Sequence, residues 1–100
     1  MDRASRTLES VPNLNWQGMP VSSNVQCLFF ENDDILWFGT YDEGIYRYDI
    51  RSRRVISRFS KEDTHSGLLT NWIVFIVRIS TGKILVGTGR GLFLYDDETH

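Results

Sequence analysis

The apolar positions of this chain fall into short runs separated by turn residues, and the order of runs recurs. Residues 25–30 are rich in apolar side chains and end at Asn32-Asp33-Asp34, residue types that favour a turn by bonding to their own backbone. Residues 35–40 and 45–49 follow, with Ile45, Tyr46 and Tyr48 as bulky strand formers. Residues 55–59 alternate apolar and polar, the pattern of a half-exposed outer strand. After a polar loop over 60–66 come further runs at 73–79, 83–88 and 91–95, with Thr81-Gly82 between the first two as a hairpin turn.

The recurrence extends to individual residues. Leu36-Trp37-Phe38-Gly39-Thr40 leads to Gly44-Ile45-Tyr46-Arg47-Tyr48-Asp49, and Leu85-Val86-Gly87-Thr88 leads to Gly91-Leu92-Phe93-Leu94-Tyr95-Asp96. Gly39 and Gly87 are 48 positions apart (87 − 39), Asp49 and Asp96 are 47 apart (96 − 49), and one extra residue in the first connecting loop accounts for the difference. A fixed period of this size marks a blade-repeat architecture, in which one small sheet cannot bury both of its faces alone.

The predicted fold is therefore all-β: about two four-stranded blades of a β-propeller, plus an N-terminal strand from a neighbouring blade. Residues 1–12 are expected to be a flexible segment and 13–17 the outer strand of a preceding blade. Residues 18–66 form the first blade, and 67–100 a second blade without its outer strand. The N-terminal assignment rests on Asn13-Leu14-Asn15-Trp16, which precedes Gly18 much as residues 56–59 precede Gly67. A propeller takes ~4–8 blades, so two cannot close a ring. Two readings stay open: the chain continues into further blades in cis, or copies of it assemble in trans, with residues 13–16 completing a neighbour's blade by strand addition.

Within each repeat the first glycine lets neighbouring strands approach closely or bulge, and the second lets the backbone turn without steric cost. Trp37, Phe38, Tyr46 and Tyr48 are expected to fill the space between adjacent sheets, since aromatic side chains bury ~150–250 Å² each. Their role in this reading is structural.

The succession of an apolar strand ending in acidic or amide residues, Trp37-Phe38-Gly39-Thr40 and Gly44-Ile45-Tyr46 resembles the two-component regulator propeller repeat. The second copy departs from it, with Leu85 in place of the usual Trp and Ser80-Thr81 in place of the acidic turn. The resemblance implies seven-bladed propellers in the extracytoplasmic sensor half of bacterial hybrid histidine kinases, many of which sense oligosaccharides. It implies a periplasmic location and a non-catalytic role in signal transduction, with an oligosaccharide as ligand.

Composition narrows the function classes. Eleven basic and 13 acidic residues give a net charge of −2, so no basic field invites nucleic acid. The longest apolar run, 72–77, is far short of the ~20 residues that span a bilayer, so no direct membrane insertion is expected. Residues 1–10 have no apolar core of a signal peptide. Cys27 is the one cysteine, which excludes an internal disulfide and a thiolate metal site.

Gly87-Thr88-Gly89-Arg90-Gly91 leads into a strand, whereas a phosphate-cradling loop needs a helix after it. Glu31, Asp33 and Asp34 lack the spacing of a calcium loop. His65 and His100 have no metal-binding partner at a suitable spacing, and Ser57, Ser60 and Ser66 sit near Asp63 and His65 with no nucleophile elbow. No catalytic residues, metal or cofactor are predicted. In an up-and-down blade, the loop between the second and third strands and the link to the next blade emerge on one face. That topology gathers Tyr41 and Asp42 with Asn71, Trp72 and Arg90 as a candidate sugar-binding set, an aromatic plane with polar groups for hydroxyls. Trp72 stands out because Asn24 occupies its position in the first copy. The competing reading is an interaction module that closes a ring from several short chains.

Overall fold

The computed structural model describes residues 7–11, 14–22, 24–63 and 65–96. Nine strands and no helix occur among them. A small hairpin comes first, β1 (Asn15–Trp16) with β2 (Met19–Pro20). Next is an antiparallel sheet in sequential order, β3 (Val25–Phe30), β4 (Ile35–Thr40), β5 (Ile45–Asp49) and β6 (Arg54–Phe59). A second sheet, also sequential, contains β7 (Ile73–Ser80), β8 (Lys83–Thr88) and β9 (Gly91–Asp96). These are one four-stranded propeller blade and three strands of another. The predicted runs match the strands to within one residue at each end.

Local chemistry explains the boundaries. Asn32 Oδ1 accepts the N–H groups of Asp34 and Ile35 at 2.8 and 2.9 Å, which turns the chain between β3 and β4. Asp49 Oδ1 accepts the Arg51 N–H at 3.0 Å in the β5–β6 turn. There Arg53 takes a positive φ of 59°.

The N-terminal segment, expected to supply the outer strand of a preceding blade, holds a small hairpin. Asn15–Trp16 pairs with Met19–Pro20, Trp16 lying opposite Met19 across a two-residue loop. Gln17 and Gly18 both have positive φ, 53° and 82°, the geometry of a type I′ hairpin turn. Gln-Gly is not one of the dipeptides that announce this turn, so the sequence pattern did not show it. The hairpin lies beside β6. Asn13 and Pro12 lie outside the described residues, as do residues 1–6 and His100.

The two blades meet face to face. Cys27, Phe29, Trp37 and Ile45 alternate with Leu28, Phe30, Phe38 and Tyr46 along β3, β4 and β5, so the first set faces the second blade and the second set faces away. From the second blade Ile76, Ile84, Val86, Phe93 and Tyr95 pack on the first set. Trp37 is fully buried in this joint, with the rings of Phe29, Phe59 and Tyr95 at 5.9, 5.4 and 5.1 Å. The aromatic residues of the motif thus divide between the two faces of the sheet: Phe38 and Tyr46 stack on each other at 5.5 Å on the outer face.

At Gly39 the blades approach closely. A Cβ there would come within 2.5 Å of Ile73 Cγ2 and 2.7 Å of Cys27 Sγ, closer than carbon and sulfur can sit. Cys27 lies in the same joint, and burial pushes its thiol above the ordinary range, partly offset by a hydrogen bond with the Gly39 backbone. Because the thiolate is the reactive form, iodoacetamide at about pH 8 is expected to label the native chain slowly and the urea-unfolded chain about tenfold faster or more. Equal rates would mean that the joint is open in solution.

Candidate functional site

The loop between β4 and β5 and the link between β6 and β7 emerge at the same end of the two sheets, and they are fastened to each other. Thr40, itself buried, donates from Oγ1 to the Gly44 carbonyl at 2.8 Å and accepts the Glu43 N–H at 2.8 Å. Gly44, at φ +84°, completes the turn and donates its N–H to the Asn71 carbonyl at 3.0 Å. The Asn71 side chain closes the other loop, with Oδ1 accepting the Lys61 N–H at 2.8 Å and Nδ2 donating to Glu62 Oε1 at 2.9 Å. That bond holds the Glu62 carboxyl below the usual carboxylate range.

Asp42 and Glu43 are tied back to the strand entry. Asp42 Oδ1 accepts from Ser22 Oγ at 2.7 Å, and Glu43 Oε1 accepts the Ser22 N–H at 2.8 Å and the Tyr46 hydroxyl at 2.6 Å. Burial, then the bond to Glu43, pushes the Tyr46 phenol well above its ordinary value. Arg58 donates to the Glu43 carbonyl at 2.7 Å and lies over the Tyr46 ring.

What remains presented to solvent is aromatic. The rings of Tyr41 and Trp72 are 50% and 44% exposed, with centroids 5.4 Å apart and planes inclined at 55°. Trp72 is held from below: its carbonyl accepts the Gly89 N–H at 3.0 Å, and its indole lies on Gly89 where any Cβ would overlap the ring. An open cleft of about 420 Å³ is lined by Tyr41, Asp42, Lys61, Glu62, Thr70, Asn71 and Trp72.

Four of the five residues singled out from the sequence therefore meet in one cleft. Arg90 does not line it; it sits exposed on the β8–β9 turn, its N–H bonded to Thr88 Oγ1 at 3.0 Å. Asn71 is 9% exposed and its amide braces the loop, so it positions the cleft wall. Lys61, Glu62 and Thr70 were not singled out, because nothing in a polar loop marks which members face inward. At the opposite end Glu31 accepts hydrogen bonds from the Trp37 indole N–H at 2.7 Å and from Arg47 Nη2 at 2.8 Å.

Other candidate chemistry stays dispersed. Among the described residues no three His, Cys, Asp or Glu side chains converge on a metal position. His65 is almost fully exposed beside Asp63, while Ser57 accepts from Arg47 and Ser66 donates to the Ser60 carbonyl. No helix among the described residues is long and apolar enough to cross a membrane.

Sequential antiparallel sheets packed face to face, with loops gathered at one end, define this chain as a segment of a β-propeller. Residues 19–42, spanning β2 to the β4–β5 loop, match the model of the two component regulator propeller family. Over 72 residues, 72% of the chain, it is 29% identical to a protein named histidine kinase P4 from Formosa agariphila, and it spans 5% of that protein's length. Both matches support a two-component regulator propeller repeat in this chain, the family model over residues 19–42. That repeat is a propeller element and not a catalytic domain.

Proposed function

We propose that this chain is a non-catalytic segment of an extracytoplasmic sensor propeller in two-component signal transduction, and that its loop-end cleft binds a carbohydrate-like ligand. The observation that carries the reading is the pair of half-exposed rings, Tyr41 and Trp72, inclined across a cleft walled by Asp42, Lys61, Glu62 and Thr70. A sugar ring offers an apolar face to an aromatic plane and hydroxyls at its rim, and such sites combine both groups. The cleft also straddles the joint between blades. The bonds from Gly44 to Asn71 and from Gly89 to Trp72 link its walls to both sheets. A ligand that prefers one spacing of those walls shifts the blades toward that spacing, which is the differential affinity a signal requires.

The test is titration of the chain with neutral and uronic-acid oligosaccharides, followed by calorimetry and tryptophan fluorescence. Trp72→Ala is expected to weaken binding about tenfold or more, equivalent to ~1.4 kcal/mol, with the far-UV spectrum unchanged because the ring is half exposed. Asp42→Asn is expected to weaken binding less. Equal affinity in the Trp72→Ala chain, or no response to any sugar, would reject the assignment.

A further inference from the structure

A second cleft lies at the end of the sheets opposite Tyr41 and Trp72, between the β3–β4 turn and the β7–β8 turn, with a volume of about 280 Å³. Glu31 and Asn32 line it from the first blade, and Arg78, Thr81, Gly82 and the buried Ile84 from the second. Arg78 is tethered there. Its Nη2 donates to the Glu31 carbonyl at 2.6 Å, and its guanidinium lies over the Phe29 ring, 5.3 Å from the centroid. These contacts engage one nitrogen and one face. The other guanidinium donors have no partner among the described residues.

No carboxylate pairs with Arg78 among the described residues. Glu31, which lines the same cleft, is already paired with Arg47 at 2.8 Å, and Lys83 beside the turn is paired with Asp96 at 2.9 Å. Asp34 is near Arg51 at 3.9 Å, and neither Asp33 nor Asp34 lines the cleft. Comparison of the two repeats sharpens the point. The turn Asn32-Asp33-Asp34 of the first copy is Ser80-Thr81-Gly82 in the second (80 − 32 gives 48), and Arg78 stands where the first copy has Phe30 (78 − 30 gives 48). Over residues 78–82 the second copy thus gains a guanidinium and loses two carboxylates. Neither change is required by the sheet, since both copies close the same antiparallel hairpin. An acidic turn would neutralise the arginine from within the chain; a neutral turn leaves its charge to a ligand.

We propose that this cleft is a second binding site, which takes a small monocarboxylate on Arg78, with the Thr81 hydroxyl as a further donor and the carbon chain of the ligand toward Ile84. The planar guanidinium fork matches a planar carboxylate with two parallel N–H bonds. One uncompensated cation suits a monoanion, whereas a phosphate group carries about −1.5 to −2 charges at neutral pH and needs more cations around it. Tethering by the Glu31 carbonyl and Phe29 orders the guanidinium before the ligand arrives, which lowers the entropy lost on binding. The site is independent of the carbohydrate reading, since none of these residues lines the cleft at Tyr41 and Trp72.

The experiment is an NMR titration of the whole chain, following backbone amides, with butyrate as the probe and ionic strength held constant with sodium chloride. Saturating shifts are expected at Asn32, Thr81 and Gly82, with a Kd of about 1–10 mM, as one exposed charge-assisted contact allows. Butyramide, the same shape without the charge, is expected to give no saturating response, and inorganic phosphate to bind more weakly than butyrate. Arg78→Gln is expected to lose the response. Thr81→Asp restores the acid of the first copy while leaving Arg78 in place, and is expected to weaken binding about tenfold or more. Both positions are exposed, so the amide dispersion of each variant is expected to match that of the unsubstituted chain. The proposal is overturned if the shifts fail to saturate or scatter over the surface, or if butyramide or phosphate binds as well as butyrate. It is equally overturned if either variant keeps the original Kd.

Discussion

Trp37→Ala is expected to abolish cooperative folding or bring it close to that point. Its ring is fully buried among Phe29, Phe59 and Tyr95, and it belongs to the hydrophobic cluster that joins the blades. Truncating a buried tryptophan costs ~3–5 kcal/mol through lost transfer energy and an unfilled cavity. A domain of this size has only ~5–15 kcal/mol in total. The loss here has a second component. Glu31 gives up its indole donor while Arg47 remains against it at 2.8 Å, leaving a partly buried ion pair lined by a cavity. Trp37→Phe keeps most of the ring and removes the donor, so it is expected to cost less, ~1–3 kcal/mol. Urea unfolding followed by circular dichroism checks both. A shift below ~1 kcal/mol for the alanine variant would show that the joint is not the core of the fold.

Gly44→Val carries the second large effect, and it separates two physical costs. Gly44 has a φ of +84°, and a Cβ there would overlap the Phe59 carbonyl oxygen. The left-handed conformation costs a residue with a side chain ~1–2 kcal/mol. The collision is with backbone and has no rotamer that relieves it, so the total is expected to exceed ~3 kcal/mol. Gly67→Ala is the control. Its φ is +83°, yet nothing lies within 4 Å of the added Cβ. That variant is expected to lose only the conformational part, ~1–2 kcal/mol. Equal midpoints for the two variants in the same urea titration would mean that the backbone at Phe59 yields. Because Gly44 also fastens the β4–β5 loop to Asn71, its variant is expected to lose any ligand response carried by Tyr41 and Trp72 together with stability.

Strand positions were legible because they depend on near neighbours. The apolar runs ending at Asn32 and at Thr81-Gly82, and the glycines at 44 and 91, encode local backbone preferences that survive into the structure. The loop-end cluster was legible for a related reason: an up-and-down sheet brings alternate turns to one end, so Tyr41, Asp42, Asn71 and Trp72 had to lie near one another. Arg90 sits on the right turn and still misses the cleft, because Gly89, not Arg90, is the residue that receives the Trp72 ring. Topology selects the end of a sheet and leaves the direction of a long side chain open.

The sequence by itself determined the repeat, the strands, and the alternation that gives every blade two apolar faces. Only the tertiary structure decided which face is covered: Trp37 lies in the joint while Phe38, one residue on, lies on the outer side. It also decided that Glu31 serves the joint through Trp37, Arg47 and Arg78, and that Asn71 braces a loop. The reason is range. Turn chemistry and side-chain alternation are set by residues a few positions apart, whereas Glu31 and Arg78 are 47 positions apart and meet only when two finished sheets press together.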